Sequence, residues 1–287
     1  MATPRSSAFT HDGRRLVYDE YGEGPRTVVL LHGLLLSRKM QAPVAEPLAE
    51  RGYRVLCLDL LGHGDSDRPE DMSQYSMPVF GRQTLALLDH LEIERALVGG
   101  TSLGANVTLE AAVQAPERIQ GLIVEMPVLD NALVACALAF TPLLVGLTLG
   151  RPVARLLSRA ARLVPRDRYP LADIALDAVR QDPGPSGAVL QGLFFGRIAP
   201  PPHERRAVHA PTLVVGHGRD PLHPFSDSGM LVEEILDARL LRARSLFELR
   251  VAPRRLMAEI GRFVDECWEE RGEGGRQRAP LSAAGAG

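Results

Sequence analysis

Leu97-Val98-Gly99-Gly100-Thr101-Ser102-Leu103-Gly104-Ala105-Asn106 joins an apolar run to an amphipathic one through G-x-S-x-G. That spacing describes a strand turning sharply into a helix. Glycines stand two before and two after the serine, where a Cβ would strike neighbouring backbone. The serine is left exposed on the turn, which nominates Ser102 as a nucleophile. The flanks agree: the residues before it read as a buried strand, and Leu103, Val107, Leu109, Ala111 and Val113 as a packed helix ending near Pro116.

The same alternation runs through much of the chain. Arg14 to Tyr21 reads as an edge strand, Thr27 to Leu31 as a fully apolar strand, and Ser37 to Arg51 as a helix capped by Ser37. Tyr53 to Leu60, Arg95 to Gly99 and Ile119 to Glu125 are further strands, separated by helices at Met77 to Leu91 and Leu103 to Ala115. Pro211 to Gly216 and Ala238 to Ala243 complete the strand series, with helices at Ser226 to Leu236 and Pro253 to Glu270. Strands alternating with helices predict an α/β fold, a mostly parallel sheet covered on both faces, with ligands at the carboxyl ends of its strands. The 287 residues suit one large domain carrying an insertion. Residues 1–126 and 209–271 form the expected core, and 127–208 a helical lid. The tail 272–287, rich in Gly, Arg, Ala and Ser, is expected to be disordered.

The insertion has no strand pattern, and Asp182-Pro183-Gly184-Pro185 punctuates it as a turn. No charged residue occurs from Asn131 to Gly150, a run long enough to approach a bilayer's thickness. Thr141, Pro142, Thr148 and attachment to a soluble fold at both ends argue against a span. Helices lying over the carboxyl edge of the sheet are the preferred reading, with an apolar tunnel or a lipid-facing lid as the other.

Lys plus Arg (33) nearly balances Asp plus Glu (35), so no net field points to nucleic acid or to an anionic membrane as partner. Cys57, Cys136 and Cys267 are far apart and odd in number, which fits neither a disulfide framework nor a zinc site. No phosphate loop, nucleotide fingerprint or metal-ligand spacing is present, so cofactor independence is the expectation. A polar N-terminus without an apolar signal core, together with the cysteine usage, favours a cytoplasmic location.

Three further motifs fall at strand ends: His32-Gly33-Leu34 after the strand from Thr27, Gly62-His63-Gly64-Asp65-Ser66 after that from Tyr53, and Gly216-His217-Gly218-Arg219-Asp220 after that from Pro211. With the serine turn, these make the chain resemble the α/β-hydrolase family over about 190 residues, which leaves the lid and tail unmatched. The resemblance implies Ser102 as nucleophile and Asp220 as acid. It places the oxyanion donors at the backbone N–H groups of Leu34 and Leu103.

The chain departs from that family at the base. The family's histidine follows the last strand, about seven residues before a proline that opens the final helix. Counting back from Pro253 reaches Ser245-Leu246, and no histidine follows His223. Either His223, in Asp220-Pro221-Leu222-His223-Pro224, acts as base from the acid loop, or it fixes a proline-bounded turn. His32 and Glu125 are candidates for the substrate pocket, with structural hydrogen bonding as the alternative for each. His217 is expected to orient its loop, and Glu248 to pair with Arg250 or Arg254 on the surface. The expected activity is hydrolysis of a small apolar ester, thioester or lactone without a cofactor. The competing class is a non-hydrolytic protein on the same fold: a cyclase, a decarboxylase or a ligand-binding pseudoenzyme.

Overall fold

The computed structural model describes residues 4–164, 176–218, 220 and 222–269. Among these, eight strands pair into one sheet: β1 (Arg5–His11), β2 (Arg14–Tyr21), β3 (Thr27–Leu31), β4 (Arg54–Asp59), β5 (Ala96–Thr101), β6 (Ile119–Glu125), β7 (Thr212–His217) and β8 (Ala238–Ala243). Their order is β1-β2-β4-β3-β5-β6-β7-β8. The β1/β2 and β2/β4 pairings are antiparallel, and every pairing from β4 to β8 is parallel. The expected tail, 272–287, lies outside the described residues.

Two apolar cores sandwich the sheet. On one face Val29, Leu31, Leu56, Leu58 and Val98 pack with α2 (Met77–His90) and α3 (Leu103–Gln114). On the other, Val28, Leu30, Val55 and Leu97 meet α1 (Ala42–Glu50) and the closing helix Arg254–Glu269. Strands β3 and β6 are buried at every residue, because parallel strands covered on both sides have no solvent face.

Three local expectations are corrected. The edge strand is β1, not Arg14 to Tyr21, since β1 pairs with β2 along its whole length. Only Phe9 of β1 is buried, so its sequence carries too little alternation to announce a strand. Ser37 does not cap a helix: its hydroxyl donates to Asp177 Oδ2 at 2.7 Å, and a 3-10 turn at Arg38–Gln41 precedes α1. Asp59 supplies the missing acceptor, taking the Arg38 N–H at 2.6 Å. Asp182-Pro183-Gly184-Pro185 opens a helix, with the Asp182 side chain accepting from Gly184 N; proline at a first helical turn gives up no bond.

Between β6 and β7 the described residues form no strand and include the helices α4 (Leu133–Thr148), α5 (Arg151–Arg162), α6 (Pro183–Phe194) and α7 (Pro202–Arg205). Helix α3 holds both ends of this insertion. Asn106 Nδ2 donates to Val128 O and to Ile198 O, each at 2.8 Å, while its Oδ1 accepts from Val128 N at 3.1 Å. One turn later the buried Glu110 takes two bonds from the Arg197 guanidinium at 2.7 and 2.5 Å. From α8 (Phe225–Glu234), the buried Asp227 accepts the N–H groups of Leu129, Asn131 and Ala132, which satisfies donors at the start of α4 that would otherwise lack partners.

Candidate active site

Ser102 occupies the junction of β5 and α3 at φ +54° and ψ −111°, a conformation costing a non-glycine residue about 1–3 kcal/mol. The turn is closed by Ser102 N donating to Glu125 O at 2.9 Å and by Asn106 N donating to Ser102 O at 3.1 Å. The flanking glycines are sterically required. A Cβ on Gly100 would lie 2.3 Å from the Gly104 carbonyl carbon, and one on Gly104 would lie 2.4 Å from Leu31 O.

The loop after β7 brings a histidine to this serine. His223 Nε2 lies 2.8 Å from Ser102 Oγ, and His223 Nδ1 lies 2.7 Å from Asp220 Oδ2. Asp220 Oδ1 accepts from Leu222 N at 2.8 Å and His223 N at 3.1 Å, so one carboxylate both shapes the loop and orients the ring. Burial would raise the Asp220 pKa, but His223 and the two backbone donors outweigh it and hold the carboxyl below its ordinary value.

Leu34 and Leu103 line an apolar cavity of about 180 Å³ together with Ser102. Its wall is built by residues such as Met77, Val128, Phe140 and Leu193. Among the described lining residues the polar side chains are Ser102 and Asn106, and none is charged. The loop carrying Leu34 is braced by the buried Arg38, whose Nε lies 2.9 Å from Asp19 Oδ1 and whose Nη1 bonds Asp59 and reaches Asp65 at 2.9 Å.

His32 and Glu125, expected in the substrate pocket, are not among the residues lining this cavity. His32 is fully buried, with Nδ1 donating to Gly33 O at 2.9 Å and Nε2 accepting from Leu60 N at 3.1 Å, so both nitrogens are committed to loop geometry. Glu125 lies beneath the serine turn. Its Oε2 accepts from Thr101 Oγ1 at 2.5 Å and from Arg250 Nη2 at 2.7 Å. Desolvation would raise the Glu125 pKa, but Arg250, His217 and Thr101 bring it down to about 2. His217, expected to orient its own loop at the end of β7, instead donates from Nδ1 to Ser245 O at 2.9 Å in the loop after β8. Glu248 pairs with Arg255 at 2.8 Å rather than with Arg250 or Arg254.

Arg250 was not legible as a site residue, since arginines in a charged helical stretch read as solvated. Arg38, Asn106 and Asp227 were equally silent. The sequence shows their residue types but not the partners far along the chain that bury them: carboxylates for Arg38, backbone groups for Asn106 and Asp227. Among the described residues no group of three or more His, Cys, Asp or Glu side chains is arranged to hold a metal ion.

A mostly parallel sheet with a strained serine between strand and helix, and a histidine–aspartate pair on the loop after β7, defines a class of α/β protein built around a nucleophile turn. The chain has the α/β-hydrolase fold, and the model of the α/β hydrolase fold family matches residues 26–163. An uncharacterized protein of Mycobacterium tuberculosis is 35% identical over 123 residues, 43% of this chain and 35% of that protein. A 2-hydroxy-6-oxononadienedioate/2-hydroxy-6-oxononatrienedioate hydrolase of Paraburkholderia xenovorans is 36% identical over 112 residues, 38% of each. The chain thus spans little more than a third of the length of these curated relatives. The solved enol-lactonase of Burkholderia xenovorans superposes with a TM-score of 0.72 at 21% identity, covering 90% of this chain and 100% of that one.

Proposed function

We propose that this protein is a hydrolase of apolar acyl compounds, an ester, thioester or lactone, with Ser102 as nucleophile, His223 as general base and Asp220 as the acid that orients it. The reading rests on one observation, the 2.8 Å approach of His223 Nε2 to Ser102 Oγ in a ring already fixed by Asp220. A neutral serine hydroxyl is a weak nucleophile, and a base at that distance removes its proton as Oγ attacks the acyl carbon. The Nδ1–H bond to Asp220 selects the tautomer whose Nε2 can accept, and stabilises the imidazolium once it forms. The N–H groups of Leu34 and Leu103 would hold the oxyanion; losing one such donor costs roughly 3 kcal/mol of transition-state stabilisation. Collapse expels the alcohol, thiol or enol with the proton from His223, and water then releases the acyl group by the same steps in reverse.

The cavity narrows the substrate. Its described lining is uncharged, so a dicarboxylate of the kind named for the Paraburkholderia relative would be desolvated there without a cationic partner, while an alkyl or aryl acyl group would not. Incubation with a fluorophosphonate followed by peptide mapping tests the reading directly. Labelling at Ser102, with Ser102→Ala abolishing both labelling and turnover of an activated apolar ester, is the expected result. Undiminished ester turnover in Ser102→Ala overturns it.

A further inference from the structure

The helical insertion carries an apolar face that no part of the described chain covers. Helix α4 turns Leu133, Cys136, Ala137 and Phe140 toward the cavity. Its opposite side presents Val134, Leu138, Val145 and, just past its end, Leu149; Leu138 is 73% exposed. Within Asp130–Thr148 the most apolar 18-residue window has a mean hydropathy of 1.8, yet only 11% of it is buried, the reverse of a core helix.

Helix α5, packed against α4, adds a second exposed apolar face and charge of one sign. Ser158 and Ala161 face inward, while Val153, Leu156 and Leu157 form an exposed apolar stripe, Leu156 at 67%. Alongside runs a stripe of arginines at positions 151, 155, 159 and 162. Arg151 reaches Glu70, and Arg162 donates to Arg180 O. Arg155 and Arg159 are exposed and make no ion pair among the described residues. From 131 to 164 the chain has no acidic residue, although its acidic and basic totals nearly balance. An apolar stripe beside a basic one, on a helix that is not apolar all round, is the composition of a helix that lies in a membrane interface.

We infer that α4 and α5 dock this protein on an anionic lipid surface, with Val134, Leu138, Leu156 and Leu157 entering the headgroup boundary and Arg155 and Arg159 meeting lipid phosphates. Docking is peripheral. The inner side of α4 walls the cavity, so the helix cannot leave the core without opening it. The occupant is a bilayer rather than a second copy, because two copies meeting through this face would bring like-charged arginine stripes together. The inference is independent of the catalytic reading, since none of these four apolar residues or two arginines lines the cavity beside Ser102.

Co-sedimentation with vesicles of phosphatidylglycerol mixed with phosphatidylcholine, against phosphatidylcholine alone, tests it on the full chain. The wild type is expected to pellet with the anionic vesicles and to be released by salt. The double substitution Arg155→Gln with Arg159→Gln should weaken that binding by about tenfold or more. Leu138→Gln with Leu156→Gln should do the same, and both variants should keep the wild-type circular dichroism and hydrolytic rate on a soluble ester. Wild-type protein that stays in the supernatant with anionic vesicles overturns the proposal. So does binding indifferent to the arginine substitutions, or a dimer by light scattering that the leucine substitutions convert to monomer.

Discussion

Asp220 and His223 are three residues apart on a single loop, and their side chains meet at 2.7 Å while His223 reaches Ser102 with its other nitrogen. An acid and a base drawn from one short segment need no second loop to be positioned. The carboxylate does two things, since Oδ1 holds the turn through Leu222 N and His223 N while Oδ2 holds the ring.

Those two roles are separable by substitution. Asp220→Asn keeps an oxygen for the turn but offers an N–H to His223 Nδ1, forcing the ring into the tautomer whose Nε2 carries a proton and cannot accept from Ser102. We expect kcat/KM for an activated ester to fall by about 10⁴-fold with little change in melting temperature. Asp220→Ala should lose both activity and loop order. A rate within tenfold of wild type in Asp220→Asn would remove Asp220 from the mechanism.

Most of this fold could be read from local pattern, and the reasons it could are specific. Strands β3, β5 and β6 are largely apolar and buried at every residue because both faces of the sheet are covered, and Gly100 and Gly104 are fixed by close backbone contacts at the serine turn. What stayed hidden depends on distance through space. His223 and Ser102 are 121 residues apart, and only the strand order brings the end of β7 within reach of the end of β5. Asp220 and His223 would look the same in sequence if the loop merely turned. Glu125 reads as a pocket residue and Arg250 as a surface charge until the fold buries them against each other.

The Asn106 amide joins the two ends of the insertion to α3 through Val128 and Ile198, one turn from the serine. Asn106→Leu should leave the buried carbonyl of Val128 and the part-buried one of Ile198 without their donor, at a cost of up to about 1–3 kcal/mol each before any relaxation. Because that loss loosens the cavity wall and leaves the His223–Ser102 contact in place, KM should rise more than kcat falls. The measurements are a denaturant titration and steady-state kinetics. An unchanged midpoint would mean that water serves these carbonyls equally well.

Glu125 and Arg250 form a buried ion pair beneath the serine turn, at 2.7 Å. Removing one charge strands the other, so Arg250→Met should destabilise the protein by about 3–5 kcal/mol. Removing both, in Glu125→Met with Arg250→Met, should recover a substantial part of that loss, because two desolvated charges are no longer held. A chemical-denaturation cycle over the four proteins reads the coupling directly. A single Arg250→Met costing under about 1 kcal/mol would show the pair to be solvated in solution.

The His32 and His63 rings are fully buried with centroids 4.7 Å apart. Burial, and for His63 the neighbouring His32, lowers both pKa values from the ordinary 6.5. The unfolded chain, where each ring titrates near 6.5, therefore takes up protons that the folded state refuses. The stability these neutral rings contribute is complete above that pH and declines as pH falls toward their folded-state values. Each should steepen the loss by up to about 1.4 kcal/mol per pH unit. Unfolding free energy should thus begin to drop below about pH 6.5, before carboxylates such as Glu125, held down to about 2, are protonated in the folded state. His63→Leu should halve the slope that these two rings supply, even if it lowers stability at neutral pH. Urea titrations across this range would decide the matter: a wild-type stability that stays flat down to the carboxylate region would show that the folded state takes up protons on these rings as readily as the unfolded chain.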